Sequence, residues 1–182
     1  MLILASNSPR RSKLLKDAGL DFIVEPSHLE EIVDEKLKPQ EMVIELAKMK
    51  ANYVAARHPK DVVIGADTIV VFENQILGKP VDEKDAYRML KLLSGERHTV
   101  FTGVALVRGK KVETLLSASE VSIKSLSDME IQNYIKTGEP MDKAGAYAIQ
   151  GDGGYLVDHY KGDFFTIVGL PLKDLLEALK TF

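Results

Sequence analysis

The sequence contains no cysteine. This absence excludes a disulfide scaffold, a zinc site built on thiolates and a cysteine nucleophile. No apolar run approaches the roughly 20 residues that a membrane helix needs, so we expect no membrane partner. The opening Met1–Ser6 is apolar but lacks the basic leader of a signal peptide, and we interpret it as a first strand. These features are typical of a cytoplasmic protein.

The chain also lacks an excess of positive charge. Its 182 residues carry a formal net charge of −3, and the pI is near 5.8. A general basic surface that coats nucleic acid is therefore disfavoured, and the basic loops have few aromatic residues on which bases could stack. We expect no nucleic-acid partner. With 45% hydrophobic residues the chain can bury the core of one domain, residues 1–182.

Local patterns predict helices and strands that are mixed along the chain. Helices are predicted over about 8–19, 39–57, 82–93 and 127–138 and after 171, and strands over about 1–6, 22–24, 62–72, 98–107, 112–123 and 164–168. The acidic stretch 30–35 is predicted as a loop. Arg108-Gly109-Lys110 is a turn signal that predicts a hairpin. This mixture favours an α/β or α+β domain with a mixed sheet.

The segment Ser6–Arg11 lies where the first strand turns into a helix. Helix-start N–H groups, a hydroxyl and two guanidinium groups can together bind a phosphate. An ordinary capped helix with two solvated arginines explains the same residues equally well. The glycine spacing of a Walker loop is absent.

Asp67 is the one carboxylate in the apolar run Val62–Phe72. Burying it is costly unless a metal, a cation or a hydrogen-bond donor accompanies it, so it predicts a functional break in the strand. Asp67 could hold a divalent ion or act as a general base, or it could cap a neighbouring loop. Ile69 stands where haloacid-dehalogenase-type phosphatases need a second aspartate, which disfavours that class. The four histidines show no ligand spacing, so no zinc site is expected.

Two loop segments with glycine and proline concentrate polar groups. Gly78-Lys79-Pro80 and residues 138–151 together carry lysines, carboxylates and an amide, which is typical of loops that meet a charged ligand. Gln150 could recognise a base edge through its amide. Tyr147 could equally be a core residue.

These segments, taken together, resemble the Maf family, also called septum formation proteins. The matching blocks occur in the family's order and cover nearly the whole chain: Ala5–Arg11, Leu46–Ala51, Gly65–Thr68, Gly78–Pro80, Gly138–Gly151 and Val168–Leu172. The resemblance implies an elongated α/β fold like that of the inosine triphosphate pyrophosphatases, with a mixed central sheet flanked by helices and a cleft between two lobes. It also implies a homodimer, a divalent cation (Mg²⁺ or Mn²⁺) and cleavage of a nucleoside triphosphate between its α- and β-phosphates.

The resemblance further implies roles for individual residues. It marks Asp67 as the catalytic proton acceptor and, with Glu31, as a metal ligand. With the loop residues above, the candidate substrate-binding residues are Ser8, Arg10, Arg11, Lys50, Thr68, Lys79, Glu139, Asp142, Lys143 and Gln150. The stretch Asp142–Tyr147 with Gln150 is similar to the subgroup that acts on dTTP and UTP. The alternative is a regulator of cell division that binds nucleotides without hydrolysing them.

Overall fold

The computed structural model describes residues 1–34 and 36–182. Of the loop predicted over 30–35, residues 30–34 lie outside helices and strands, and Glu35 lies outside the described residues.

The helices begin largely where local chemistry predicts. They are α1 (Pro9–Asp17), α2 (Pro39–Ala55), α3 (Glu83–Leu93), α4 (Asp128–Lys136), α5 (Phe164–Val168) and α6 (Leu172–Thr181), with 3₁₀ turns at Glu139–Asp142, Ala144–Ala146 and Asp152–Leu156. The Ser8 side chain caps α1, and Asp82 caps α3. Ser127 and Glu130 form a reciprocal capping box at α4. Side-chain oxygens thus satisfy N–H groups that the first helical turn leaves unpaired.

The strands form one mixed sheet. They are β1 (Leu2–Leu4), β2 (Ile23–Val24), β3 (Val62–Phe72), β4 (Gln75–Leu77), β5 (Arg97–Arg108), β6 (Lys111–Ile123) and β7 (Val157–Lys161). The order is β2-β1-β3-β5-β6-β7, and β4 pairs with β3. Strand β1 runs parallel to β2 and β3, whereas the β3–β4 and β6–β7 pairs are antiparallel. The predicted mixed sheet is therefore confirmed, and the hairpin turns at Gly109, whose φ is 59°.

Two sequence predictions are wrong. Residues 164–168 form helix α5, not a strand, because one Asp163 carboxylate oxygen accepts from both the N–H and the hydroxyl of Thr166, at 2.7 and 2.8 Å. Strand β3 shows no break at Asp67 and continues from Val62 to Phe72.

Two strands were not predicted at all. Strand β4 follows a turn in which Glu73 and Asn74 both have positive φ, at 48° and 64°. Strand β7 has four exposed residues out of five and so lacks an apolar periodicity.

The chain divides into two compact units. Unit 1 comprises Met1–Thr68, Thr102–Ser117 and Gly169–Phe182. Its core joins β1, α2, β3 and β5 through Ile3, Ala5, Ala47, Ala51, Val54, Ala55, Val63, Ala105 and Val107. The prediction of one domain over 1–182 stays a prediction.

Helix α2 lies unusually close to the sheet within unit 1. A Cβ atom on Gly65 would come within 2.7 Å of the Ala51 nitrogen, and one on Gly103 would come within 2.6 Å of the Val43 carbonyl oxygen. Only glycine fits at these two strand positions without moving the helix. The side chains of α2 are thereby brought next to β3.

Unit 2 comprises Ile69–Phe101 and Ala118–Val168. Its core packs α3 and α4 against strand residues; fully buried members include Leu90, Leu93, Ile131, Tyr134 and Leu156. Across the part of the chain that the structure describes, no helix combines the length and the apolar character needed to cross a membrane.

Candidate active site

Asp67, on β3, has a cationic partner. The Lys50 Nζ atom lies 2.5 Å from Asp67 Oδ1 and 3.0 Å from Glu31 Oε1. Lys50 and Asp67 are only 13% and 15% exposed, whereas the Glu31 side chain is 48% exposed. The close approach of α2 at Gly65 places Lys50 in this position. The carboxylate in the apolar strand is thus paired, as its desolvation requires.

The two carboxylates that were predicted to bind a metal converge on one cationic atom. Glu31 and Asp67 both contact the Lys50 ammonium group. Among residues 1–34 and 36–182, no group of three or more histidine, aspartate or glutamate side chains could hold a metal ion. Mg²⁺ is usually bound by one or two carboxylates, with waters and substrate phosphates completing its shell. This donor set therefore fits a cation shared with a phosphate ligand.

Arg11 is held by its own chain on three sides. Its Nε donates to the Gly169 carbonyl oxygen at 2.7 Å, and its two terminal nitrogens donate to the hydroxyls of Ser6 and Thr68, each at 3.1 Å. Burial lowers the pKa of Arg11, and the negative charge of Asp67 acts in the opposite direction. Arg11 therefore connects α1 with β3 and with the segment before α6, and each of its three guanidinium nitrogens donates one of these hydrogen bonds.

The start of α1 is organised by two serines. Ser8 Oγ accepts from the Arg11 N–H at 3.5 Å, and the Ser8 N–H donates to Ser6 Oγ at 3.2 Å. Pro9 occupies the first helical turn, where a missing N–H is no loss. Arg10 is half-buried, and its positive charge contributes to the lowered pKa of Arg11. The helix start thus combines positive charge with helical N–H groups, as an anion site requires.

Three residues of this constellation were not assigned individual roles from the sequence, although Ser6 lies in the candidate segment Ser6–Arg11. Ser6 and Gly169 are direct partners of Arg11, and Thr102 Oγ1 lies 2.9 Å from Thr68 Oγ1. Gly169 belongs to the matching block Val168–Leu172 and could have been found there. Thr102 is a fully buried polar residue among apolar neighbours on β5, and no spacing pattern connects it with β3.

In unit 2 the structure joins the two predicted loops. The Gly145 N–H donates to the Gly78 carbonyl oxygen at 3.1 Å, so the segment bearing Lys79 lies against the segment 138–151. The side chain of Lys79 is exposed. Lys143 is 13% exposed and is paired with Asp142, which is 69% exposed. One lysine and one carboxylate of this segment therefore form an ion pair, and the predicted contact of the two loops with a charged ligand stays a prediction.

Glu139 and Tyr147 have partners inside unit 2. The Glu139 carboxylate accepts from the Tyr134 hydroxyl at 2.6 Å and from the N–H groups of Asp152 and Gly153 at 3.1 and 2.8 Å. Tyr147 is 5% exposed and lies 2.7 Å from His98 Nε2, so it is a core residue. The side chain of Gln150 is exposed.

Comparison with known proteins identifies the family. A family model described as "Maf-like protein" matches residues 1–182. The chain belongs to the Maf family. A dTTP/UTP pyrophosphatase of Bacillus pumilus (strain SAFR-032) is 49% identical to it over 181 residues, which cover 100% of this chain and 96% of that protein. A dTTP/UTP pyrophosphatase of Halalkalibacterium halodurans is 50% identical over 179 residues, covering 98% and 94%.

A solved structure supports the fold of this Maf protein. The structure of a HAM1 protein from Coxiella burnetii superposes with a TM-score of 0.52 at 16% identity, covering 100% of this chain and 98% of that one. At that identity the likeness concerns the fold alone. It agrees with the predicted α/β class, a mixed sheet flanked by helices.

Proposed function

We propose that this Maf protein is a nucleoside triphosphate pyrophosphatase that hydrolyses dTTP and UTP to the monophosphate and pyrophosphate. The observation that carries the proposal is the identity of 49 and 50%, over nearly the whole length, to two proteins named for this activity. In the reaction a water oxygen bonds to the α-phosphorus. The bond from that phosphorus to the α–β bridging oxygen breaks, and pyrophosphate leaves with the electron pair.

Asp67 is the proton acceptor for the attacking water in this proposal. Its carboxylate is rigidly placed because it lies on the continuous strand β3 and is held through Oδ1 by Lys50. A positioned general base typically contributes about 10²- to 10⁴-fold to a rate. The contacts of Arg11 hold Thr68, the next residue, in place.

A divalent cation, Mg²⁺ or Mn²⁺, would be held by Asp67 and Glu31. When bound, it would offset the charge of the phosphates and help to orient them. The basic residues Arg10, Lys50 and Lys79 are proposed to neutralise the departing pyrophosphate, together with the helix start at Ser8. Asp142, Lys143 and Gln150 are proposed to contact the nucleotide. Arg11 then acts mainly by holding Ser6 and Thr68.

We further propose that the protein is a cytoplasmic homodimer and that it does not bind nucleic acid. The acidic balance of the chain supports the last point. Light scattering after size exclusion tests the dimer, which a mass of 20.2 kDa in solution would contradict.

The first experiment is a measurement of pyrophosphate release from a panel of standard and modified nucleoside triphosphates. Each is assayed with Mg²⁺, with Mn²⁺ and with a chelator. We expect release from dTTP and UTP that depends on the cation and falls by at least about 10²-fold in Asp67→Asn. Asp17→Asn is the matched control because Asp17 lies in an exposed ion pair with Lys13 on α1.

A folded and fully active Asp67→Asn protein would contradict the catalytic assignment. Activity that survives the chelator would contradict the metal assignment. If no nucleotide releases pyrophosphate while nucleotide binding is retained, the chain would instead be a regulator that binds nucleotides.

A further inference from the structure

Glu139 holds the loop that carries Gln150. Its Oε1 atom accepts from the Asp152 N–H at 3.1 Å, and its Oε2 atom accepts from the Gly153 N–H at 2.8 Å. These two donors follow Gln150 by two and three residues. One carboxylate therefore fixes the backbone on the C-terminal side of Gln150.

Tyr134 fixes the same loop on the other side. Its hydroxyl donates to Glu139 Oε2 at 2.6 Å and accepts from the Ala148 N–H at 3.2 Å. Tyr134 is 1% exposed and lies on α4, in the core of unit 2. Burial and the neighbouring Glu139 raise the pKa of Tyr134, so the phenol keeps the proton that it donates. The clamp is thus anchored in the rigid part of the unit.

Two glycines allow this close approach. Gly151 has φ of +84°, and a Cβ atom on it would overlap the Glu139 carboxylate. A Cβ atom on Gly153 would come within 2.6 Å of the Ala148 carbonyl oxygen and would overlap the Tyr134 hydroxyl. The loop backbone therefore packs directly on the side chains that bind it.

The contacts of Glu139 differ from those expected of a residue that binds the substrate. Its carboxylate already accepts three hydrogen bonds from its own chain. A carboxylate would also repel a triphosphate unless a cation intervened. Gln150, in contrast, lies exposed between the two anchored ends of the loop.

We infer that Glu139, together with Tyr134, is a positioning residue that sets base selectivity by fixing the orientation of Gln150. The inference rests on the proposed function, and it changes the role of Glu139 from substrate binding to loop positioning. An amide distinguishes bases only if its donor and acceptor are held in register with the base edge.

The test compares Glu139→Gln and Tyr134→Phe with Gln150→Ala and the double variant Glu139→Gln/Gln150→Ala. Glutamine at 139 keeps the size but replaces one acceptor oxygen with a donor. The matched control is Glu130→Gln. Glu130 also accepts from a backbone N–H, that of Ser127, the residue that caps α4, and within the described residues it forms no hydrogen bond with the Asp152 or Gly153 amide.

The first readout is amide hydrogen exchange in the nucleotide-free protein. We expect at least one of the Asp152 and Gly153 amides to exchange about tenfold faster in Glu139→Gln, because glutamine removes one of the two acceptor oxygens and a lost hydrogen bond of about 1.4 kcal/mol corresponds to a factor of ten. The same amides keep their rates in Glu130→Gln. Unchanged exchange in Glu139→Gln would overturn the clamp, whatever the protein's activity.

The second readout is kcat/KM for dTTP and UTP relative to dGTP and CTP. We expect Glu139→Gln and Gln150→Ala each to reduce this preference about tenfold, and the double variant to resemble Gln150→Ala because both act through one amide. The inference would be overturned if Glu139→Gln lowered kcat/KM equally for all four nucleotides and if its effect multiplied with that of Gln150→Ala in the double variant. That result would favour direct contact between Glu139 and the phosphates.

The two proposals fail in different ways. If the unaltered protein releases no pyrophosphate, the proposed function is contradicted. The preference for dTTP and UTP over dGTP and CTP is then measured from binding affinities by calorimetry. Intact release with an unchanged preference in Glu139→Gln overturns only the positioning role.

Discussion

The His98–Tyr147 pair predicts a loss of stability at mildly acidic pH. His98 is 3% exposed on β5, and its Nε2 lies 2.7 Å from the Tyr147 hydroxyl. Its Nδ1 is buried and has no hydrogen-bond partner among the described residues. A protonated ring would need an acceptor at both nitrogens. Burial accordingly lowers the pKa of His98 from 6.5 to about 4.

The sign and size of the effect follow from proton linkage. The unfolded chain binds this proton below pH 6.5 and the folded chain only below about 4, so stability is full above pH 6.5 and is lost as the pH falls through this window. For a pKa difference of this size the loss is about 2 kcal/mol at pH 5 and roughly 3 kcal/mol once both states are protonated. That is a large share of a typical stability of about 5–15 kcal/mol.

The assay is urea denaturation at pH 7.5, 6 and 5, followed by circular dichroism, for the natural protein and His98→Gln. Glutamine places an amide near the position of Nε2 and does not titrate. We expect the free energy of unfolding of the natural protein to fall by about 2 kcal/mol more than that of His98→Gln between pH 7.5 and 5. Parallel pH profiles, or a His98 ring that titrates near 6.5 by NMR, would refute the reasoning.

Two further predictions concern unit 1. Replacing Arg11 with lysine, which lacks the planar guanidinium group, should lower the free energy of unfolding by about 1–3 kcal/mol in urea titrations and should also reduce kcat. Arg10→Lys should change the free energy of unfolding by less than about 0.5 kcal/mol. Equal effects of the two substitutions would contradict a stabilising role for the Arg11–Gly169 hydrogen bond. Gly65→Ala should lower the free energy of unfolding by about 1–3 kcal/mol because its Cβ meets α2. The control is Gly78→Ala in unit 2, which has open space around its Cβ and should lower the free energy of unfolding by less than about 1 kcal/mol.

The helix starts were predictable because each is decided within a few residues. Ser8, Asp82 and Ser127 cap helices through hydrogen bonds that reach only three residues along the chain. The error at 164–168 has the same origin. Phe164 to Val168 are strong strand formers, but the Asp163 side chain satisfies the Thr166 N–H and stabilises a helical turn instead. A local hydrogen bond there outweighs intrinsic propensity.

The candidate site was predictable in its residues but not in its connections. Asp67 is conspicuous as a carboxylate in an apolar run, and the Lys50 that partners it could be assigned only through the family resemblance. Arg11 bonds to Gly169, 158 residues away, and no periodicity encodes that distance. The structure shows that Arg11 contacts Thr68, and the binding of phosphate by Arg11 stays a prediction.

Glu139 illustrates why a charged loop residue is hard to interpret from sequence. Loops rich in glycine and charge occur where a ligand binds, but they also occur where a backbone must turn sharply and needs acceptors for its N–H groups. Glu139 satisfies two such N–H groups beside Gly151, whose positive φ creates the turn. Glu139 thus binds the backbone of the loop directly, and in our inference it affects the ligand only through Gln150. Both roles can be tested on Glu139→Gln. Hydrogen exchange reports on the loop backbone in the free protein, and base selectivity reports on the protein with nucleotide bound.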